Sequence, residues 1–260
     1  FHPDGMVDQV IKICSLPEGS GIRALCEVRD YLWFNYKNGI YRIKEASLSE
    51  QEPSLVSETL HLPGVYVTVM RNRSNEIWIG SYQGLYRYNA ESGRIKHYTY
   101  QEHNINSLSQ NLITDIAFTD DYNVLVSTFR GLNYYNSITD SFERINRDMD
   151  SNQLSGDEKS WLSCNFVNCL LGDGDIFWAG TETGGINKIS KRQLYIENYS
   201  HSTEVPGSLS RNPVNAIYED KTGALWIGTV EGGLNRKAPG SQSFIHYTTE
   251  APAYLPHNSV

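Results

Sequence analysis

The side chains of this chain that are able to do chemistry are dispersed. Its 30 Asp and Glu residues fall largely in turn-like stretches, and no pair stands out as the acid and base that glycoside hydrolysis requires. The four cysteines are Cys14, Cys26, Cys164 and Cys169. None belongs to a Cys-x-x-Cys pair and no histidine cluster accompanies them, which argues against zinc. Cys26 and Cys169 lie in apolar strand-like segments and read as small core residues. Cys164 and Cys169, like Cys14 and Cys26, bracket the start of a strand, so all four are expected to be unpaired. Gly172-Asp173-Gly174-Asp175 is one short turn with too few oxygens for calcium. Asp220-Lys221-Thr222-Gly223, ahead of Trp226, reads as a turn before a strand. There is no phosphate loop, nucleophile elbow or metal-binding helix motif. The expectation is a chain with no catalytic residue, no metal and no cofactor.

The elements that carry these residues repeat. Five segments are nearly alike: 31–44, 76–89, 123–136, 176–189 and 224–237. Their anchors are Trp33, Trp78, Leu125, Trp178 and Trp226, at intervals of 45, 47, 53 and 48 residues. A period in this range marks a repeat architecture. Each segment is an apolar-aromatic run, a turn with one or two glycines and a second alternating run, which is a β-hairpin. The glycines at 39, 84, 131, 184 and 232 are expected to serve the turns. Ahead of the hairpins comes Leu-Ser-x-Asn, at 108–111, 162–165 and 209–212, or Leu-Pro-x-Asn at 255–258. A strand follows it, and a fourth short strand follows each hairpin, as in 95–98, 142–145, 195–199 and 244–247.

One unit is therefore four strands joined by short turns, too small to bury both of its sheet faces. Twisted four-stranded sheets stacked around an axis make a β-propeller. A solenoid of parallel coils fits less well, because the units are too long and too rich in hairpins. A β-sandwich has no reason to repeat its sequence. The predicted fold is all-β, a propeller of four-stranded antiparallel blades. Complete blades are expected at 16–59, 60–103, 107–149, 160–200 and 208–250. Residues 1–13 read as the outer strand of a preceding incomplete blade, and 255–260 as the start of a further one. The chain thus reads as part of a longer array. The anchor tryptophans are expected between blades as core, since Leu125 replaces one of them with another apolar residue.

Bulk composition excludes several functions. A formal charge of −8 is wrong for a nucleic-acid surface. No window has the apolar length of a membrane span, and no signal peptide is visible at Phe1.

The motif SLSRNPVNAIYEDKTGALWIGTVEGGLN, at 208–235, resembles the two-component regulator propeller repeat almost throughout. The copies at 62–89 and 107–136 are clear and those at 16–44 and 162–189 looser. Leu125 departs from the pattern, and so does Trp161, which stands where better copies have Ser107 and Ser208. The resemblance covers essentially the whole chain. It implies the periplasmic sensor region of a Bacteroides-type hybrid two-component receptor, anchored in the inner membrane. In such receptors propellers precede a β-sandwich, a membrane helix and a histidine kinase. It further implies an oligosaccharide ligand from glycan breakdown, partnership with the remaining propeller and β-sandwich parts, and a homodimer of the full receptor. No nucleic acid is expected on this region.

Two loop sets should converge on one rim: the hairpin turns and the loops leading into each first strand. Sugar binding needs aromatic faces for ring C–H groups, flanked by amides and charges for hydroxyls. The turns offer Tyr36, Asn38, Tyr82, Gln83, Phe129, Arg130, Glu182, Thr183 and Glu231. The leading loops offer Gln110, Asn111, Trp161, Asn165, Arg211 and Asn212. Tyr82, Phe129 and Trp161 are the candidate ring platforms. The repeated Asn is expected to bond its own loop backbone. Two other functions stay open: a propeller scaffold for interaction or dimerisation without direct ligand binding, and a carbohydrate-active propeller enzyme.

Overall fold

The computed structural model describes residues 21–37, 39–44, 57–120, 123–146, 162–190, 195–250 and 255–260. Five antiparallel sheets follow one another in chain order. The first contains β1 (Leu25–Val28), β2 (Tyr31–Tyr36), β3 (Gly39–Lys44) and β4 (Ser57–His61). The second contains β5 (Val67–Arg73), β6 (Glu76–Ser81), β7 (Gly84–Asn89) and β8 (Ile95–Tyr98). β9 (Ile113–Phe118), β10 (Val124–Thr128), β11 (Gly131–Asn136) and β12 (Ser141–Ile145) form the third. β13 (Val167–Asp173), β14 (Ile176–Thr181), β15 (Ile186–Ser190) and β16 (Tyr195–Tyr199) form the fourth. β17 (Val214–Glu219), β18 (Leu225–Thr229), β19 (Gly233–Lys237) and β20 (Phe244–Tyr247) complete the fifth. The first strands β1, β5, β9, β13 and β17 lie side by side in sequence order. This is the predicted β-propeller arrangement of four-stranded blades. β4 crosses the expected boundary at 59/60, so the first blade runs two residues further. The segment ahead of residue 21, including Cys14, lies outside the described residues.

The core lies between the blades. One apolar cluster joins Trp33 and Ile40 of the first blade to Met70 and Ile77 of the second. The next joins Trp78 and Leu85 to Ile116, Val126 and Tyr135 of the third. Leu125 and Leu132 then meet Leu170 and Phe177, and Trp178 and Ile186 meet Val214 and Ile227. Trp33, Trp78, Leu125 and Trp178 are all buried, as their role of core anchor demands. Trp226 differs: it is only partly buried. Each buried anchor is covered by the blade that follows it, and no described blade follows Trp226.

The anchor indoles also carry a polar N–H that burial must satisfy. Asp173 Oδ2 accepts it from Trp178 at 3.2 Å, and Asp220 Oδ2 accepts it from Trp226 at 2.7 Å. Asp220 Oδ1 takes the amides of Thr222 and Ala224 at 2.8 and 3.1 Å. Hydrogen bonds from the Thr222 hydroxyl and the Trp226 indole hold this carboxyl well below the usual carboxylate range. In the first blade the position filled by Asp173 in the fourth, paired with the opening residue of the second strand, is Val28, which offers no side-chain acceptor. Trp33 Nε1 accordingly has no partner among the described residues.

Polar side chains tie neighbouring blades at repeated positions. Thr68 Oγ1 donates to the Ile113 carbonyl at 2.7 Å and Thr114 Oγ1 to that of Val167 at 2.6 Å. Asn168 Nδ2 donates to the Val214 carbonyl at 3.2 Å. Buried Asp115 spans three blades, accepting from Arg71 at 3.1 Å, from its neighbour Ile116 N at 2.8 Å and from Leu170 N at 2.9 Å. Burial pushes its carboxyl up, while Arg71 and the two amides pull it back. Cys26, Cys164 and Cys169 are free thiols, as expected. Burial raises Cys26 to about 12 and Cys169 further, so both are inert.

Between the second and third blades, Asp140 collects three donors. Tyr98 and Tyr135 hydroxyls donate at 2.6 and 2.7 Å, and Lys96 pairs with the other carboxylate oxygen. Partial burial pushes this carboxyl up, but the hydrogen bonds from Lys96, Tyr98 and Tyr135 outweigh it and hold it at about 2.

This packing sets the cost of losing an anchor. Trp78→Ala should cost roughly 3–5 kcal/mol, the usual range for truncating a buried large aromatic. Trp226→Ala should cost clearly less, because its ring is partly in solvent; chemical denaturation of both variants measures the difference. Asp140 has a folded-state pKa below the ordinary value, so its contribution to stability is complete above about pH 4 and is lost as pH falls toward about 2. Asp140→Asn should therefore lower the melting temperature at pH 7 and leave it nearly unchanged at pH 2, as read by calorimetry.

A candidate ligand-binding face at the hairpin turns

The hairpin turns are built the same way in four blades. The hydroxyls of Ser81, Thr128, Thr181 and Thr229 donate to the carbonyls of Gly84, Gly131, Gly185 and Gly233 at 2.7, 3.0, 2.8 and 2.9 Å. These four glycines have positive φ, from 75° to 126°. In the fourth and fifth blades the left-handed residue is thus Gly185 or Gly233, one position later than expected. Gly184 and Gly232 serve a different need. A Cβ on either would come within 2.3 Å of Ser163 or 2.6 Å of Ser210 and Arg211, in the loop leading into the same blade. In the first blade Lys37 takes a positive φ.

Each leading loop is drawn against these turns. Tyr82 N donates to the Tyr66 carbonyl at 3.0 Å, Glu182 N to Phe166 at 3.0 Å and Val230 N to Pro213 at 3.0 Å. Gly131 N reaches across to the Asn165 carbonyl of the next blade at 2.8 Å. Turns and leading loops therefore share one face of the propeller. The repeated Asn of the leading loop holds that loop: Asn111 Oδ1 accepts the Tyr100 amide and Asn212 Oδ1 the His201 amide, both at 2.6 Å. Asn133, Asn187 and Asn235 support it from β11, β15 and β19, each accepting from the Ser amide of the motif at 2.7 to 3.0 Å.

The predicted site residues have different fates. Tyr82 and Phe129 are exposed on this face, at 50% and 37%. Arg130, Glu182, Arg211 and Glu231 are exposed beside the turns. Glu182 accepts from Asn168 Nδ2 at 2.8 Å. Asn212 has its carbonyl oxygen committed to the loop, and Gln83 its side chain to the chain nearby. Tyr36 is a correction: it is buried at 5% on β2, edge-on to Tyr41 at 5.7 Å. As the last β2 residue it points inward, and Lys37 takes the tip. Asn38 and Trp161 lie outside the described residues.

Sequence reading missed two residues. Tyr66 and Phe166 each immediately precede an inner strand and are 67% and 52% exposed. Tyr66 lies 6.0 Å from Tyr82, and Phe166 lies edge-on to Phe129 at 5.8 Å. The signal was positional: the residue before each inner-strand Val or Ile is Tyr66, Leu112, Phe166 or Pro213, none of them charged. Two exposed aromatic pairs thus stand on the turn face. The tyrosine pair is braced. Gln83 Oε1 accepts the Tyr66 amide at 3.1 Å and Gln83 Nε2 donates to the Gly64 carbonyl at 3.2 Å. His97 Nε2 meets the Gln83 carbonyl at 3.0 Å, its ring stacked on Tyr86 at 4.0 Å. Chemically the face presents apolar rings with amides and both signs of charge near them. Among the described residues, no three His, Cys, Asp or Glu side chains lie close enough together to hold a metal ion.

Residues 208–231 match the family model described as two component regulator propeller. No curated protein matches the chain. Among solved structures, the chain is similar to the extracellular domain of the putative one component system BT4673 from B. thetaiotaomicron. The TM-score is 0.68 at 23% identity, over 94% of this chain and 31% of that one. A second structure of that domain, described as a putative hybrid two component system, gives 0.68 at 21% identity, with the same coverage. The extracellular domain of the putative hybrid two component system BT3049, from the same organism, gives 0.58 at 23% identity over 86% of this chain and 29% of that one. This chain therefore spans about a third of these relatives, and at such identities the likeness is one of fold.

If Gln83 braces the tyrosine pair, Gln83→Ala should cost about 1 kcal/mol, the net worth of a hydrogen bond or two at a partly exposed site. The Tyr66 amide should exchange with solvent faster, and the nuclear Overhauser contacts between the Tyr66 and Tyr82 rings should weaken.

Proposed function

We propose that this chain is the extracytoplasmic, periplasmic ligand-sensing propeller region of a hybrid two-component signalling receptor, and that its turn face takes an oligosaccharide. The observation that carries the reading is the match of residues 208–231 to the two component regulator propeller repeat, in a chain whose five blades share the fold of extracellular domains of putative one- and two-component systems. The exposed pairs Tyr66–Tyr82 and Phe129–Phe166 support a sugar ligand. Flat apolar rings beside amides and charges suit molecules with a C–H face and a rim of hydroxyls. Arg130, Glu182, Arg211 and Glu231 would supply polar contacts, and Asn38, Gln83, Asn212 and Trp161 belong to the same loop sets. The region acts by binding and performs no catalysis. Its partners are the remaining propeller and β-sandwich parts of the receptor and a second copy of that receptor. A scaffold role, in which blades bind protein rather than glycan, is favoured by one observation: the apolar outward face of the fifth blade.

Calorimetric titration of the protein with a panel of oligosaccharides from host and dietary glycans tests the reading. At least one should bind. Tyr82→Ala and Phe129→Ala should each weaken that binding about tenfold or more while leaving the melting temperature within a degree or two, because exposed side chains contribute little to stability. Absence of binding across the panel, or binding untouched by both substitutions, overturns the assignment of the ligand to this face.

A further inference from the structure

Three anchor indoles lie under a cation from the third strand of their own blade. Arg87 stands over Trp78 at 5.4 Å, Lys188 over Trp178 at 5.7 Å and Arg236 over Trp226 at 5.5 Å. Trp178 and Trp226 also have a carboxylate at the indole N–H, that of Asp173 or Asp220. Trp78 lacks it. Five residues ahead of Trp78, where Asp173 stands ahead of Trp178, is Arg73. The register is the same: Arg73 pairs with Glu76, and Asp173 with Ile176, the opening residue of the second strand in each case. The Arg73 side chain reaches over to the third blade, where it donates to the carbonyls of Thr119 and Asp120.

The place of the carboxylate is open. Trp78 is only 2% exposed, and it lines a recess of about 250 Å³ between the second and third blades. Among the described residues its N–H meets no acceptor, and it is not sealed in as that of Trp33 is. Arg73, Ser74, Glu76, Arg87 and Tyr135 line the same recess, with Ser137. Ser74 lies in the turn between β5 and β6 and Ser137 in that between β11 and β12, so the recess is on the rim opposite the hairpin tips. Two guanidinium groups stand there against one carboxylate. That carboxylate, Glu76, is already paired with Arg87, whose Nε donates to it at 2.9 Å. The recess is thus rich in donors and positive, in a chain whose formal charge is −8. An apolar cavity of about 150 Å³ takes benzene, so this one has room for a small organic acid or the acid-bearing end of a sugar.

We propose that this recess binds a small carboxylate, which accepts the Trp78 indole N–H as Asp220 Oδ2 accepts that of Trp226. The bound group takes the position that the fourth and fifth blades fill with their own aspartate. Arg73 and Arg87 flank it, and hydrogen bonds assisted by charge in this way are short and strong. The site is separate from the turn face and does not depend on the sensor reading.

Proton–nitrogen NMR of the 260-residue chain tests this, with the Trp78 indole N–H assigned through Trp78→Phe. The probes are sodium acetate and sodium glucuronate. Sodium chloride at matched ionic strength and glucose are the controls. Either acid should move the Trp78 N–H downfield until it saturates, while those of Trp178 and Trp226, capped from within the chain, stay in place and the controls do nothing. Acetate bound as tightly as glucuronate assigns the site to free small acids; glucuronate bound clearly tighter assigns it to an acid-bearing sugar. Arg73→Asp supplies the carboxylate from the chain itself, so in that variant the Trp78 N–H should lie downfield with no acid present and respond to none. Arg73→Gln removes the charge and adds no carboxylate, and should weaken binding about tenfold or more, the worth of one hydrogen bond to a charged group. Tyr82→Ala, on the other rim, should bind as the unaltered chain does. A Trp78 N–H that neither acid moves overturns the proposal, as does an equal response to chloride or glucose. So does a response that persists in Arg73→Asp, that is undiminished in Arg73→Gln, or that is lost in Tyr82→Ala.

Discussion

No blade of this protein can bury its own two faces. A four-stranded sheet has apolar side chains on both sides, so each face must find another sheet, and among the described residues four apolar clusters lie between blades while one, around Phe34, Tyr36 and Ile43, lies on the first blade alone. Stability in such an array comes from nearest-neighbour interfaces. In the second, fourth and fifth blades this packing goes with a Trp anchor and a glycine two positions later, at Gly80, Gly180 and Gly228, whereas the first and third blades carry Asn35 and Ser127 there. Where the following sheet is present the anchor is sealed. At the fifth blade, where none is described, the anchor is half open.

The polar chemistry adapts to this packing. Bringing an indole into the inter-blade core requires an acceptor for its N–H, supplied by Asp173 and Asp220 from the turn ahead of the hairpin. Where Val28 replaces the aspartate at the end of the first strand, the N–H of Trp33 finds no acceptor among the described residues. Asp115 and Asp140 are buried or half-buried carboxylates whose environments oppose one another. Asp115 is dominated by desolvation and Asp140 by its donors. Both join strands from different blades, which makes them constraints on blade spacing more than candidates for chemistry.

The turn face follows from the same scaffold. Ser or Thr hydroxyls and left-handed glycines fix the hairpin tips, and the motif asparagines fix the leading loops against them. Side chains at the tips and just before the inner strands are thereby freed from structural duty. Tyr66, Tyr82, Phe129 and Phe166 occupy those positions. Rigid loops bearing exposed rings are where a repeat scaffold places recognition, while the repeated Asn and Gln83 are consumed in holding the loops.

The sequence alone determined the four-stranded unit, its period, the hairpins and the free thiols, because these depend on local alternation, turn chemistry and spacing. It also located the two loop sets that meet on one face. Tertiary structure decided what depends on a neighbour. Tyr36 lies in the same hairpin as its exposed counterparts, yet it turns inward at the end of β2. Trp226 has the best copy of the motif and the least burial of the described anchors, because burial there is a property of the adjacent blade. Tyr66 and Phe166 became visible only when the hydrogen bonds of Tyr82 and Glu182 brought the residues before the inner strands up beside the turns. Their side chains obey no periodic rule that a strand or turn would impose, so only their place in the folded molecule shows that they are exposed.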